Sequence, residues 1–244
     1  MKKLEILHIT KYFDELYTLQ DISLTVEENE FVTILGPSGS GKSTLFNIVA
    51  GLEKADAGKI LIEEKDYTGK TGRVSYMHQK DLLMPWKTIL DNVCIPLRIK
   101  GMNKKEAKDQ ALPYFTPFGL EGFEDHYPHQ LSGGMRQRAA LLRTYLFTQD
   151  ILLLDEPFGG LDAITKRRMQ QWLLGVLERL RASILFITHD IDEAIFLSDK
   201  IYILSERPAK IKEVIDIDIP RPRDHTTFTC QEFVALKERI LTIL

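Results

Sequence analysis

The run Gly36-Pro37-Ser38-Gly39-Ser40-Gly41-Lys42-Ser43-Thr44 constrains this chain more than any other stretch. It follows the apolar segment Phe31-Val32-Thr33-Ile34-Leu35 and precedes Leu45-Phe46-Asn47-Ile48-Val49-Ala50, so it reads as strand, glycine-rich loop and helix. Glycines let successive backbone N–H groups turn inward around an anion. The helix start adds its positive dipole end, Lys42 adds a full charge, and the Ser43 hydroxyl is placed to hold Mg²⁺. Because the strand and helix that the motif needs both flank it, the stretch predicts a site for the phosphates of a nucleoside triphosphate rather than a plain Gly/Ser turn.

A length of 244 residues accommodates an α/β domain with a sizeable core. Charged residues make up 27% of the chain and balance to a formal net charge of −3, which argues against a polybasic surface for nucleic acid. No apolar run approaches the ~20 residues of a membrane span, and Met1-Lys2-Lys3 is not followed by a signal-peptide core, so the expectation is a protein neither exported nor membrane-spanning. Cys94 and Cys230 lie far apart and read as structural thiols in a reducing compartment. His126 and His129 are spaced like a metal pair, but no further ligands cluster with them.

Before the loop, Leu4 to Phe13 and Tyr17 to Val26 read as two antiparallel strands. Tyr12 and Phe13 end the first, and neighbouring strand residues face opposite ways, so one ring is expected in the core and the other free to stack on a base. Ile60-Leu61-Ile62 and Arg73 to Met77 read as further strands, the second leading to His78-Gln79. From Asp81 to about Asp150 the β signal is absent. Leu82-Leu83-Met84-Pro85-Trp86 looks like an exposed apolar cluster, and Thr88 with Asp91 resembles a capping box before the helical face Ile89, Leu90, Val93, Cys94 and Leu97. A second helix is expected from Asn103 toward Phe118, interrupted by Pro113 and Pro117. Ser132 is a natural N-cap for a helix over 139–147, and Gly133-Gly134 expose backbone N–H groups at its start, a second place fit for a phosphate.

Ile151-Leu152-Leu153-Leu154 reads as a parallel strand buried on both faces, ending in Asp155-Glu156-Pro157. Carboxylates at such a strand end lie where α/β folds bind ligands. Asp155 suits the shell of Mg²⁺, and Glu156 suits a base that activates water. A helix from about Ala163 to Arg181 and a strand from Ser183 to Thr188 repeat the βαβ rhythm, with His189 at the strand end placed to donate a hydrogen bond to a terminal phosphate. Strands over 200–205 and 211–219 come next, then a turn at Pro220-Arg221-Pro222-Arg223, and a helix whose stripe Phe233, Leu236, Ile240 and Leu244 is expected to pack on the domain.

Taken together, the phosphate loop 36–44, Gln79, Leu131-Ser132-Gly133-Gly134-Met135, Asp155-Glu156, Gly160-Leu161-Asp162 and Thr188-His189-Asp190 resemble, in order and spacing, the ATP-binding cassette ATPases. The resemblance spans nearly the whole chain. It implies an α/β fold: a P-loop NTPase core with a mainly parallel sheet, an N-terminal antiparallel β subdomain and an inserted α-helical subdomain. The implied divisions are residues 1–81, 82–150 and 151–244. It further implies that Gln79 reaches the metal and the nucleophile, that His189 is the switch histidine and Asp162 the D-loop aspartate, and that Phe13, or else Tyr12, stacks on adenine. Two copies would pack head to tail, so that loop 36–44 of one and Ser132, Gly133, Gly134 and Gln137 of the other enclose one ATP with its Mg²⁺.

Leu83 to Val93 and Pro220 to Asp224 look like the ATPase subunits of nitrate, sulfonate, taurine or thiamine-precursor importers. Such a subunit works as a homodimer on the cytoplasmic face beneath two membrane permease subunits, with a solute-binding protein outside and no nucleic acid. The alternatives are the ATPase subunit of an exporter, or a non-transport relative acting on nucleic acid. Gly159-Gly160 departs from relatives that often carry alanine before Leu161, and neither glycine is expected to touch a catalytic position.

Overall fold

The structure, a computed structural model, describes residues 1–244 with the exception of the side chains of 177–179. The chain forms two compact units, Met1–Val74 with Arg181–Leu244, and Ser75–Leu180. In the first unit, β1 (Lys2–Phe13) and β2 (Leu16–Glu27) pair antiparallel as expected. Their alternating apolar residues Leu4, Ile6, Ile22, Leu24 and Val26 are buried, which fixes the register. Next comes β3 (Phe31–Leu35), buried at every position, and α1 (Lys42–Val49), whose Leu45, Phe46, Ile48 and Val49 are buried. The strand β4 (Ala57–Ile62) lies on the other side of β1, and β5 (Lys65–Asp66) pairs with β4.

The second unit opens with β6 (Ser75–Met77) and has no further strand until β7 (Ile151–Asp155), which runs parallel to β6. Helices fill the interval. Thr88 caps α2 (Ile89–Val93) by accepting from the Asp91 N–H at 3.2 Å, and the face Ile89, Leu90, Val93, Cys94 and Leu97 is buried across α2 and α3 (Ile95–Ile99). The helix expected from Asn103 to Phe118 is shorter: α4 (Lys104–Ala111), started by a reciprocal Asn103/Glu106 capping box, gives way to a 3₁₀ turn at Leu112–Tyr114. Pro113 removes an N–H from the α-helical ladder there. Ser132 caps α5 (Gly133–Thr148), and α6 (Ala163–Leu180) comes after β7.

Back in the first unit, β8 (Ser183–Thr188), α7 (Ile191–Leu197), β9 (Lys200–Leu204), β10 (Ile211–Asp216) and α8 (Gln231–Ile243) complete the chain. The buried β3 runs between β8 and β9, parallel to both, and β10 pairs antiparallel with β9. Of the stripe expected on α8, Phe233 and Ile240 are buried, Leu236 is half-buried and Leu244 is exposed. No helix among the described residues is long and apolar enough to cross a membrane.

The segment expected to be a mere turn before α8 holds a buried arginine. Arg223 donates from Nε and Nη2 to the Ile219 carbonyl and from Nη1 to those of Ile195, Phe196 and Ser198, at 2.7–3.1 Å. It thereby satisfies the last turn of α7, while burial, with Arg221 adding to it, brings its pKa down to about 10. Arg223→Met strands those carbonyls without water, so it should lower unfolding stability by about 2–4 kcal/mol. The expected sign is a lower urea midpoint at unchanged slope.

Candidate functional site

In the first unit, register sets the site. Leu35 lies opposite Thr188, so the phosphate loop and His189 leave neighbouring parallel strands at the same edge. The loop wraps around Lys42, whose Nζ donates to the carbonyls of Gly36 at 2.9 Å and Pro37 at 2.8 Å. Gly36 is required by close approach, since a Cβ there would lie 3.1 Å from the Leu204 backbone oxygen. Gly41 caps α1 at φ 108°, where a Cβ would lie 3.0 Å from the side chains of Thr18 and Leu19. Ser38, Gly39 and Ser43 are exposed, Pro37 and Thr44 are half-buried, and the Ser40 hydroxyl is buried without a hydrogen-bond partner. An orphaned buried hydroxyl within a glycine-rich loop at a helix start fits a phosphate ligand.

His189 is exposed, and its neighbours are tied into α7: Asp190 caps that helix through the Glu193 N–H, and the Thr188 hydroxyl donates to the Glu193 carboxylate. At the end of β1, neither Tyr12 nor Phe13 enters the core, contrary to the expectation for the pair. They are 43% and 41% exposed, and the buried side chain is Lys11 at 7%. A register shift between Lys11 and Tyr12 carries the hairpin tip beyond the core and undoes the simple alternation. Tyr12 stacks on Tyr17 with ring centroids 4.2 Å apart, and the Lys11 ammonium sits 4.8 Å from the Phe13 ring centroid.

In the second unit the same device recurs. Met77 lies opposite Leu154, so Gln79 and Asp155-Glu156 come at neighbouring parallel strand ends. Gln79 Nε2 donates to Glu156 Oε2 at 3.1 Å. Glu156 has φ 44°, a backbone setting that a non-glycine residue holds at a cost when its surroundings demand it. Asp155 is buried and accepts from the Tyr76 hydroxyl at 3.3 Å, a contact the sequence did not disclose; burial first and the Asp155 charge second push the Tyr76 pKa up. Gly159 was expected to touch no catalytic position, but a Cβ there would lie 3.3 Å from the Glu156 carbonyl oxygen and 3.5 Å from Gln79 Nε2. The Asp155 carboxylate here and the Ser43 hydroxyl of the first unit are both hard oxygen donors of the kind that fit Mg²⁺.

Elsewhere in this unit Ser132 is exposed, accepts from the Met135 N–H at 3.4 Å and leaves Gly133 half-buried. Gly134 is buried, with Thr165 and Met169 of α6 near the place a Cβ would take. Gln137 is buried, and its Oε1 has no hydrogen-bond partner. Asp162 accepts from the N–H groups of Ile164 and Thr165, capping α6, and hydrogen bonds from Thr165 hold its carboxyl below the usual range. The loop 81–88 is shaped from inside. Buried Asn92 accepts from the Met84 N–H and donates to the carbonyls of Met84, Lys87 and Thr88, while Arg143 donates to those of Asp81 and Leu82. Leu83 is thereby buried while Leu82 and Trp86 are presented outward, Trp86 at 73% exposure.

Comparison with known proteins matches residues 19–159 to the ABC transporter family. The chain is 45% identical, over 93% of its length and 89% of the other's, to the formylaminopyrimidine import ATP-binding protein ThiZ of Halalkalibacterium halodurans. It is 41% identical, over 92% and 90%, to the aliphatic sulfonates import ATP-binding protein SsuB of Bacillus cereus. Among solved structures, the dimeric post-hydrolysis state of the ATP-binding cassette MJ0796 bound to ADP and Pi aligns with a TM-score of 0.73 and 30% identity, covering 89% of this chain and all of that one.

The loop geometry gives a direct test. Gly41→Ala forces a Cβ into a left-handed position against Thr18 and Leu19, so stability should fall by at least about 1 kcal/mol, read as a lower denaturant midpoint.

Proposed function

The chain belongs to the ABC transporter family of ATPases, which bind and hydrolyse ATP, and we propose that it is the ATPase subunit of an importer for a small solute. The relatives named for import support the importer part of the reading, and the observation that carries its hydrolytic part is Glu156. It comes directly after a fully buried parallel strand, sits on a left-handed backbone and has its carboxylate held by Gln79. A carboxylate so placed can orient a water and accept its proton, the chemistry that ATP hydrolysis needs.

In this reading the backbone of 36–44 grips the phosphates, Lys42 leaves its carbonyl partners for the β- and γ-phosphate oxygens, and His189 donates to the γ-phosphate. Ser43 of the first unit and Asp155 and Gln79 of the second would supply oxygen ligands to Mg²⁺, which would offset phosphate charge when bound. Tyr76 keeps the Asp155 carboxylate oriented toward that role. A second copy packs head to tail and closes the site with Ser132, Gly133 and Gly134, and with Gln137 and Asp162 behind them; the dimeric cassette to which the chain is similar supports this. Hydrolysis is then coupled to dimer closure, because in-line attack depends on positioning.

The loop that presents Leu82 and Trp86 also contributes Met84 to a groove of about 430 Å³, lined further by Asp91, Cys94, Arg98, Ile99 and Lys104. A lining that mixes apolar Met84, Cys94 and Ile99 with charged Asp91, Arg98 and Lys104 suits an amphipathic helix of a permease subunit, and two such permeases would hold the dimer at the cytoplasmic face of the membrane. The solute is of the sulfonate, nitrate, taurine or thiamine-precursor kind, delivered by an external solute-binding protein. The chain is about equally similar to two relatives named for different solutes, which fits a subunit that never touches the cargo.

Two measurements test the reading. Glu156→Gln should lower ATP turnover by about 10²–10⁴-fold and accumulate an ATP-bound dimer on size-exclusion chromatography; undiminished turnover would remove Glu156 from its role. Trp86→Ala should keep ATP binding and lose co-purification with the permease; unchanged co-purification would move the docking surface elsewhere.

A further inference from the structure

Lys11 is the one lysine of β1 that the core takes in, and its ammonium is not idle there. Nζ donates to the Lys54 carbonyl at 2.8 Å and pairs with Glu53 Oε1 at 2.7 Å, and the same group lies 4.8 Å from the centroid of Phe13. The hydrogen bond from Lys11 is the main reason that the Glu53 carboxyl sits below its ordinary range. Glu53 and Lys54 belong to the segment that leaves α1, and the N–H groups of Leu52 and Glu53 are still bonded to the Asn47 carbonyl within that helix. At its other end α1 begins with Lys42 of the phosphate loop.

Two backbone contacts stitch the same junction. The Tyr12 N–H donates to Asp56 Oδ2 at 2.6 Å, and the Asp56 N–H donates to the Thr10 carbonyl at 2.9 Å. The tip of β1 is therefore fastened to the far end of the helix whose start faces the phosphates. Phe13 itself is 41% exposed on a hairpin tip, where an aromatic ring without an anchor samples several rotamers. A cation over the ring restrains it, while 41% of Phe13 remains exposed to meet a ligand.

We propose that Lys11 is a positioning residue for the nucleobase: it braces Phe13 as the stacking platform and sets the spacing between that platform and the phosphate loop. The proposal rests on the reading that Phe13 carries the base of ATP. A cation over the ring also draws π density from it, which favours stacking with an electron-rich purine. Lys11 acts through its contact with the Phe13 ring, so its effect should track the base alone.

The experiment measures equilibrium binding of ATP and of inorganic tripolyphosphate to the full chain, for the native protein and for Lys11→Met, Lys11→Arg and Phe13→Ala. Lys11→Met should weaken ATP about fivefold and leave tripolyphosphate unchanged, while Lys11→Arg, which keeps a cation under the ring, should restore ATP binding to within about twofold of native. Equal weakening of both ligands by Lys11→Met would overturn the proposal, because it would mark damage to the phosphate loop. So would native ATP affinity in Lys11→Met alongside a loss in Phe13→Ala, and that outcome spares the reading of Phe13. Native ATP affinity in Phe13→Ala would overturn the platform reading and the proposal with it.

Discussion

A strand buried on both faces takes a polar side chain only at its ends or where a buried partner meets it, as the Ser198 hydroxyl meets Thr33 in the middle of β3. In β3, β7 and β8 every residue is buried, and apart from Thr33, Asp155, Ser183 and Thr188 each of those residues is apolar. The chemistry of each unit is thereby forced to the strand termini. In the first unit the phosphate loop and His189 emerge side by side, and in the second Gln79 and Glu156 do. Parallel pairing does the alignment: with Leu35 opposite Thr188 and Met77 opposite Leu154, residues far apart in sequence reach the same edge without dedicated contacts to bring them there.

Beyond the strand ends, local restraint decides where each functional group points. Lys42 is centred by two carbonyls of its own loop, Glu156 by Gln79 and a left-handed backbone, and Asp155 by the Tyr76 hydroxyl. Asp162 and Ser132 serve first as helix caps. Their capping geometry points the first turns of α6 and α5.

Much of this was legible in the sequence because it is local. The phosphate loop, the cap at Thr88, the buried run 151–154 and the strand 183–188 are each set by residues within a few positions of one another. Contacts across long separations were not. Nothing near Asn92 announces four hydrogen bonds to the loop before it, nothing near Arg223 announces the end of α7, and the burial of Lys11 in place of Tyr12 or Phe13 comes from a bulge that no periodicity shows. Composition misled at Leu83, which looks like its neighbours and is buried, and at Gly159, whose value lies in what stands beside it.

The way Asn92 and Arg143 hold the loop 81–88 has a bearing on how such a chain diversifies. Both grip the loop through its main chain, so its path does not depend on which side chains stand at 82 and 86. The fold supplies a socket of fixed shape whose lettering is free to change. Outward residues at such a surface can be exchanged with no repair needed in the interior.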